Sequence, residues 1–323
     1  MTKTVLGIDV SKNTIDTILL EGDRKHYHQV ENSKKGYRQL LSWLEKNQSQ
    51  QAHICLEPTG KFSLSVAEYF YDRGFKVSMV NPARVSAYRV GTGTSNKTDR
   101  GDAYVLADYY RTQNPRLWSP TSPEITELQE MTRYLDSLKG MCQQEKNRQS
   151  AGYKSATIRR KVRSVIYYLE KQITDLEKSI QYHIEKYDDL RHQRDLLVTI
   201  PGIGKLTAAK LLAEIQDIHR FKKASQLVAF AGAHPIVWLS GTSVHKKSRM
   251  AKTGNVHIRK ALYMPALSAK AWNPIVKTFA ERLLDNGKLP CVVVGACMRK
   301  LLHIVFGVLK NDIPFDPNYG ANS

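Results

Sequence analysis

The order of strand-like and helical runs in residues 4–112 limits the fold of this chain more than any other feature. Three strand-like runs, VLGIDVS, TIDTILLEG and KHYHQVEN, are followed by the helical run GYRQLLSWLEKN. The strand AHICLEP, the helix KFSLSVAEYFYDRG, the strand FKVSMVNP and the helix TDRGDAYVLADYYRT complete the series. This alternation predicts an α/β domain with a mixed sheet.

The sequence after residue 118 has a different, mostly helical texture. The Ser- and Pro-rich segment SPTSPEI predicts a linker. Apolar residues then step by three and four over 128–142 and 162–180, which predicts a helical hairpin or a coiled coil whose seam favours dimerisation. The run VTIPGIGKLTAAKLLAEI resembles a helix-hairpin-helix element, and the rest is mostly helical. The predicted fold is therefore α/β plus α, in three parts, 1–118, 119–195 and 196–323.

The charge of the chain identifies the class of its partner. With a formal net charge of +19, the protein would repel itself strongly unless a polyanion offsets the charge, and nucleic acid is the obvious candidate. We see no apolar signal region and expect no apolar stretch of about 18 residues, the length that crosses a bilayer. The sequence therefore predicts a cytoplasmic nucleic-acid-binding protein with no membrane contact.

Four acidic side chains stand where strands end and where a helix begins. Asp9 ends the first strand, in GIDVSK, and Glu57 ends the strand AHICLEP. In a ribonuclease H-like fold, which has this order of elements, those two strands are neighbours. Asp99 and Asp102 in TDRGDA are spaced i and i+3, so a helix beginning there carries both on one face. We therefore expect the four carboxylates to converge.

Converging carboxylates suit a hard divalent cation. Oxygen ligands of this kind bind Mg²⁺ or Mn²⁺, and two such ions stabilise both oxygens of a phosphodiester displacement. Taken singly, Asp99 and Asp102 would also suit a helix N-terminus and Asp9 a turn. Together, in so basic a chain, they favour a metal site, whereas Asp16 and Asp23 are expected to be strand-edge and turn residues.

Basic residues cluster near these features and in the helical parts. Seven Lys and Arg residues and no acidic one lie between Glu145 and Glu170, and eight and no acidic one lie from Gly241 to Ala280. The Gly-x-Gly turn before TAAKLLAEI would let backbone N–H groups approach a phosphate. The predicted nucleic-acid contacts are Lys97, Arg100, Arg159, Arg160, Lys161, Arg163, Gly202, Gly204, Lys205, Lys246, Lys247, Arg249, Lys252, Arg259 and Lys260.

With these residues in place, the chain resembles the DEDD-type transposases of the insertion-sequence family guided by a bridge RNA, over nearly its whole length. The family's tetrad falls on Asp9 in GIDVSK, Glu57 in LEPTG, and Asp99 and Asp102 in NKTDRGDA. IPGIG, TAAKLLAEI, FAGAHP, a Ser-Gly pair, KTGNVHIRKALYMPAL, GKLP and RKLLHIVFGVL then follow in the family's order. FAGAHP departs slightly from the usual wording, at no proposed catalytic group. The resemblance implies a RuvC-like N-terminal domain and a C-terminal transposase domain.

The resemblance further implies that Ser240 in LSGTS is a nucleophile that forms a covalent phosphoserine with DNA. The residues alone leave Ser240, Ser243 and Ser248 as nearly equal candidates, and each would need a base or a metal for activation. The implied partners are element-end and target DNA, a structured bridge RNA, and further copies of the chain in a dimer or tetramer. The complete site would then be assembled between protomers of a prokaryotic, nucleoid-associated protein.

Three other functions fit part of the sequence. A junction-resolving nuclease would use the carboxylates to activate water and would leave nicked, protein-free DNA. A nucleic-acid-binding scaffold with vestigial carboxylates would bind without cutting. GIDVSK also resembles the opening of actin-like sugar kinases, but the chain lacks their further Gly-rich phosphate loops and has the wrong charge. The transposase is the main hypothesis and the nuclease is its alternative.

Overall fold

The chain forms two compact units, residues 1–120 and 121–323. The computed structural model describes residues 3–58, 60–93, 98–240 and 244–318. Within those ranges, the side chains of residues 61, 237–240 and 244–248 lie outside the description. The predicted division into a carboxylate domain, a helical segment and a transposase domain assigns functions to its parts, and it stays a prediction.

The first unit contains a mixed five-stranded sheet with helices on both faces. Its strands are β1 Val5–Val10, β2 Thr14–Glu21, β3 Arg24–Glu31, β4 His53–Leu56 and β5 Val77–Met79. Its helices are α1 Lys34–Lys46, α2 Lys61–Tyr71, α3 Pro82–Gly91 and α4 Asp99–Gln113. The strand order is β3-β2-β1-β4-β5. The first three strands pair antiparallel, whereas β4 lies parallel to β1 and to β5, so the predicted mixed sheet is confirmed.

Strand β1 shows how the sheet separates two hydrophobic cores. Leu6 and Ile8 pack in the core that includes residues of α1 and α2, and Val5 packs in the core that includes residues of α3 and α4. Because successive side chains of a strand point to opposite faces, Gly7 and Asp9 share the face of Val5. The end of β1 therefore directs its carboxylate to the α4 side of the sheet.

Gly7 lets helix α4 lie unusually close to the sheet. A Cβ atom built at Gly7 would stand 2.0 Å from the carbonyl oxygen of Ala103 and 2.6 Å from the backbone nitrogen of Ala107. Neither distance is possible for real atoms, so every larger residue would push the helix away. This contact places the first turn of α4 beside the end of β1.

Helix α3 was not predicted, because the strand before it was expected to continue to Pro82. The strand ends at Met79, and the Asn81 side chain caps the helix by accepting a hydrogen bond from the backbone N–H of Ala83 at 2.8 Å. Asn as cap followed by Pro at the first helical position is a strong start signal. Apolar periodicity gave no support, since Val85 is the buried residue of this helix.

The second unit is mostly helical, as predicted. Its helices are α5 Pro123–Ala151, α6 Ala156–Lys186, α7 Asp188–Val198, α8 Lys205–Ile215, α9 Ala224–Ala231, α10 Val256–Trp272, α11 Pro274–Asp285 and α12 Pro290–Asn311. Helices α5 and α6 pack antiparallel, with Lys139 2.7 Å from Glu177 and Lys146 2.8 Å from Glu170. They form a helical hairpin within one chain, and a coiled coil between chains stays a prediction.

Two features of the second unit differ from expectation. A two-stranded antiparallel hairpin, β6 Pro235–Ser240 and β7 Val244–Met250, stands in a segment expected to be helical or irregular. Val, Ile and Trp in β6 favour a strand, but the polar β7 gave no such signal. Helix α12 also has the length and composition to cross a bilayer, with a mean hydropathy of 1.9, although no such stretch was expected. Half of that window is buried within the protein, as in a core helix.

Candidate active site

The ends of β1 and β4 bring two predicted site residues next to each other in the sheet. Ile8 of β1 is in register with Leu56 of the parallel strand β4. Asp9 and Glu57 follow at the next position on each strand, and both are partly exposed. Burial and then the charge of Glu57 raise the pKa of the Cys55 thiol to about 12. The predicted pairing of these strand ends is therefore what the backbone shows.

The first turn of α4 carries the other two predicted carboxylates. The helix cap is Thr98, whose hydroxyl accepts a hydrogen bond from the backbone N–H of Gly101 at 3.1 Å. The carboxylates of Asp99 and Asp102 are therefore not the cap of this helix, although both lie in its first turn. Both carboxylates lie at the positive end of the helix dipole, so they stabilise the helix without capping it.

Three other carboxylates lie close enough to Asp9 to affect its ionisation. Burial, followed by the charges of Asp102, Asp99 and Asp16, raises the pKa of Asp9 from 3.8 to about 6. Like charges disfavour one another's ionised form only when they are close. Asp9, Asp99 and Asp102 thus share one region of negative potential on the α4 side of the sheet.

Arg89 supplies a cation to this acidic region. Its guanidinium Nη2 lies 2.5 Å from Oδ1 of Asp102, and both side chains are largely buried. Within the described ranges, no group of three or more His, Cys, Asp or Glu side chains stands arranged to hold a metal ion. The donor set is nevertheless that of a hard divalent cation, and the raised pKa of Asp9 marks negative charge that a cation would offset. The residues fit Mg²⁺ in chemistry.

Asp16 is a fifth carboxylate, and it is buried within β2 and not at a strand edge as expected. It pairs with Asp9 across β1 and β2, and only 3% of its surface is exposed. Its Oδ1 accepts hydrogen bonds from the Tyr27 hydroxyl at 2.5 Å and from Gln29 Nε2 at 3.0 Å. The bond to Asp16 raises the pKa of Tyr27 to about 12. Alternation along β2 could have found this residue, because Asp16 shares a face with the buried Ile18 and Leu20.

Two basic residues, Lys97 and Arg100, were predicted to contact nucleic acid beside the acidic region, and the structure describes one of them. The guanidinium of Arg100 lies 5.0 Å from the centre of the Tyr27 ring, which places its charge beside the Asp16 network. Such a stacked cation is an available phosphate contact. Lys97 lies outside the described residues.

The structure places Ser240 at the end of a β-hairpin. Its backbone pairs with Val244 at the last register position of β6 and β7. The side chain of Ser240 lies outside the description, as do residues 241–243 and the side chains of Lys246, Lys247 and Ser248. The choice among the three serines therefore still depends on the sequence motif.

Three residues after the β6–β7 hairpin, Gly254, Asn255 and Arg259, have packing or hydrogen-bonding roles. A Cβ atom at Gly254 would lie 2.5 Å from the backbone nitrogen of Gly232, so the two chain segments cross at van der Waals contact. Asn255 caps α10 and donates from Nδ2 to the buried Glu214 at 2.7 Å. Arg259 donates to the carbonyl of Ala231 at 2.7 Å. Arg259 is thus a structural residue first, and its predicted phosphate contact is untested.

The predicted clamp at the Gly-x-Gly turn also includes a packing contact. Gly202 has φ of 103°, and a Cβ atom there would lie 2.9 Å from Ala269 of α10, so this glycine is needed for helix packing. Gly204 and Lys205 are exposed at the start of α8. They are the part of this turn that could meet a phosphate.

Among the remaining predicted nucleic-acid contacts, one has a structural role and the others are exposed. Arg159 donates to the carbonyls of Tyr153 and Lys154, at 2.7 and 2.8 Å, and so closes the turn between α5 and α6. The other predicted basic contacts with described side chains are exposed, namely Arg160, Lys161, Arg163, Arg249, Lys252 and Lys260. Their exposed positions leave them available to a nucleic acid.

Similarity to known proteins covers nearly the whole chain. A family model for DEDD transposases of IS110 elements, described as a transposase, matches residues 6–152. A second model, described as a transposase of the IS116/IS110/IS902 family, matches residues 194–281. The two matches include the four carboxylates and Ser240 respectively.

Individual relatives give the same result. The pilin gene-inverting proteins of Moraxella bovis and Moraxella lacunata are each 33% identical over 319 residues, which are 98% of this chain and 98% of each relative. The transposase for insertion sequence element IS1111A of Coxiella burnetii is 23% identical over 220 residues, 60% of this chain and 59% of that protein. The chain therefore belongs to the IS116/IS110/IS902 family of transposases, enzymes that recombine DNA.

Proposed function

We propose that this transposase cuts and rejoins DNA through a covalent phosphoserine on Ser240, with Mg²⁺ or Mn²⁺ held by Asp9, Glu57, Asp99 and Asp102. The observation that carries the metal site is the raised pKa of Asp9, caused first by burial and then by the charges of Asp102 and Asp99. Carboxylates that disfavour one another's charge in this way gain most from a shared cation. Such a cation supplies Lewis-acid stabilisation of the phosphate oxygens.

The proposed reaction conserves the energy of the phosphodiester bond. The Ser240 hydroxyl loses its proton and its oxygen bonds to phosphorus, while the bond from phosphorus to one sugar oxygen breaks and that oxygen takes a proton. A hydroxyl of another strand then loses its proton and its oxygen bonds to phosphorus, while the bond from phosphorus to Ser240 Oγ breaks and Oγ takes up a proton, which makes the new phosphodiester. No high-energy cofactor is needed. The name of the Moraxella relatives, pilin gene-inverting protein, supports such an exchange, since inversion requires that every cut end be rejoined.

The first unit would act as a RuvC-like, ribonuclease H-like platform. The strand order β3-β2-β1-β4-β5 supports this, because it places the ends of β1 and β4 side by side in the middle of the sheet. Arg89 would hold Asp102 before the cation binds, and Arg100 would meet a phosphate of the bound DNA.

We extend the proposal to the partners. The net charge of +19 suits both element DNA and a structured bridge RNA that selects the target by base pairing. The exposed basic residues of α6, Arg160, Lys161 and Arg163, would lie along one of these nucleic acids. Two or four chains would assemble, with the serine of one protomer serving the carboxylates of another.

The test looks for protein joined to DNA. The protein is incubated with Mg²⁺, element-end DNA, target DNA and the flanking RNA, and the products are separated on a denaturing gel. We expect an adduct with wild-type protein and none with Ser240→Ala or Asp102→Ala. Ser243→Ala and Ser248→Ala are the matched controls and keep the adduct.

Two results would redirect the assignment. If DNA is cut without any adduct and Ser240→Ala cuts as well as wild type, the protein is a metal-dependent nuclease of the alternative kind. If the adduct persists in Ser240→Ala and disappears in Ser243→Ala or Ser248→Ala, the nucleophile is that other serine. Omitting the RNA or replacing Mg²⁺ with EDTA tests the two cofactor proposals in the same experiment.

A further inference from the structure

A groove on the first unit lies apart from the acidic region. It has a volume of about 580 Å³ and runs between the edge strand β3 and helix α1. His28 of β3 faces Trp43 of α1 there, whereas its neighbour Tyr27 hydrogen-bonds to Asp16 on the opposite side of the sheet. The groove and the carboxylates are thus on different faces of the same sheet.

The groove carries positive charge that no carboxylate among the described residues pairs with. Its basic side chains are Lys35, Arg38 and Lys46, all exposed and spaced along one side of α1. The residues that line the groove include no Asp or Glu. In the described part of the chain, none of the three basic side chains forms an ion pair with a carboxylate. An anionic partner would therefore complete this surface.

An aromatic pair forms the floor of the groove. The rings of His28 and Trp43 are stacked, with centroids 4.9 Å apart and planes 12° apart. Burial lowers the pKa of His28, which favours its neutral ring at neutral pH. The amide of Gln39 and the hydroxyl of Ser42 line the groove beside the rings and can hydrogen-bond to a base edge. Charge that follows a backbone, together with aromatic surface for a base, is the composition of single-strand sites.

We propose that this groove binds an unpaired segment of DNA, with its phosphates on Lys35, Arg38 and Lys46 and a base against the stacked His28–Trp43 pair. A duplex would present its phosphates but not the face of a base, since paired bases are already stacked. DNA is the expected strand because the enzyme recombines DNA, and strand exchange passes through unpaired ends. The site is independent of Ser240 and the carboxylates, so it stands whatever the nucleophile is.

The first test compares two double variants that remove the same charge. Arg38→Ala/Lys46→Ala changes the groove, and Lys76→Ala/Arg84→Ala changes two exposed basic residues elsewhere on the first unit. Binding of a fluorescent single-stranded DNA of about 12 nucleotides is followed by anisotropy over a range of salt. We expect the groove variant to lose about tenfold in affinity and to lower the salt slope by about 1.4, for two lost phosphate contacts. The control variant binds like wild type.

The second test addresses the aromatic floor. An abasic oligonucleotide with the same backbone is expected to bind wild type about tenfold more weakly than normal DNA, within the range of one lost stacking contact. Trp43→Leu, checked for folding by circular dichroism, is expected to bind the abasic and the normal oligonucleotide with equal affinity. The proposed contact would be contradicted if Trp43→Leu still bound the normal oligonucleotide more tightly than the abasic one, as wild type is expected to do. It would also be contradicted if wild type bound the two oligonucleotides equally.

Other outcomes overturn the proposal as a whole. Equal losses in the two double variants would show that only net charge matters. Loss of duplex binding as large as the loss of single-strand binding would assign the groove to duplex DNA. An RNA of the same sequence that binds at least about tenfold tighter, with that preference lost in the groove variant, would assign the groove to RNA instead.

Discussion

Replacing Asp9 with asparagine should make the metal-free protein more stable at pH 8, although Asp9 is proposed to be essential. The folded protein binds the Asp9 proton more tightly than the unfolded chain does, because the pKa rises from 3.8 to about 6. The stability linked to the protonated form is therefore complete below pH 3.8 and is lost as the pH rises through about 6. At pH 8 the ionised carboxylate destabilises the fold, and Asp9→Asn removes that charge while it keeps the shape.

The size of the effect follows from the pKa. A rise of about two units corresponds to about 3 kcal/mol, at roughly 1.4 kcal/mol per unit. Asp9 is partly exposed, so solvent screening lowers the expected gain to about 1–2 kcal/mol. The gain should shrink toward zero near pH 4, where wild-type Asp9 is largely protonated. The free energy of unfolding is measured in urea, with EDTA, at pH 8 and pH 4.

The matched control is Asp23→Asn, which neutralises an exposed carboxylate in the turn after Gly22 and should leave stability unchanged. Mg²⁺ should then stabilise wild type but not Asp9→Asn, because a ligand stabilises only the state that binds it. The reasoning fails if Asp9→Asn is no more stable than wild type at pH 8 in EDTA. It fails equally if Mg²⁺ stabilises both proteins alike.

Four further predictions follow from the same contacts. The affinity for Mn²⁺, measured by electron paramagnetic resonance, should rise with pH through about 6 as Asp9 loses its proton, and a flat profile would exclude Asp9 as a ligand. Arg89→Gln should increase that affinity at pH 7 by freeing Asp102, whereas Arg84→Gln should not; equal affinities in both would show that Arg89 does not compete with the metal. Gly7→Ala should lower the free energy of unfolding by about 3 kcal/mol, the upper end of overpacking, and a neutral result would refute the close approach of α4. Asn255→Ala should cost about 1–2 kcal/mol through the lost cap of α10 and more through the lost hydrogen bond to Glu214, and calorimetry showing no change would contradict both roles.

The sequence predicted where the strands and helices that carry the candidate site end and begin. The ends of β1 and β4 and the start of α4 are fixed by strand periodicity and by Thr98 as cap, so the positions of Asp9, Glu57, Asp99 and Asp102 could be expected. The fold class of each half follows from the same patterns.

What the sequence did not predict depends on contacts between distant segments. The hydrogen-bond donors to Asp16, Tyr27 and Gln29, come from β3, and no pattern within β2 names those partners. The engagement of Arg89 with Asp102 requires helix α3, which carries little apolar periodicity. The structural role of Arg259 likewise depends on the carbonyl of Ala231 in another helix. From its place in a basic stretch of sequence, Arg259 is predicted to contact nucleic acid like the exposed basic residues around it.

The close approach at Gly7 also limits how this family of sequences can change. Gly7, Ala103 and Ala107 meet at one point, where β1 and α4 touch through their backbones. Enlarging Gly7 or Ala107 shifts the same helix, so the effects of the two enlargements should not add, because the first has already opened the space for the second. These two positions should therefore vary together in evolution, and a laboratory search for active variants should find them changed as a pair or left alone.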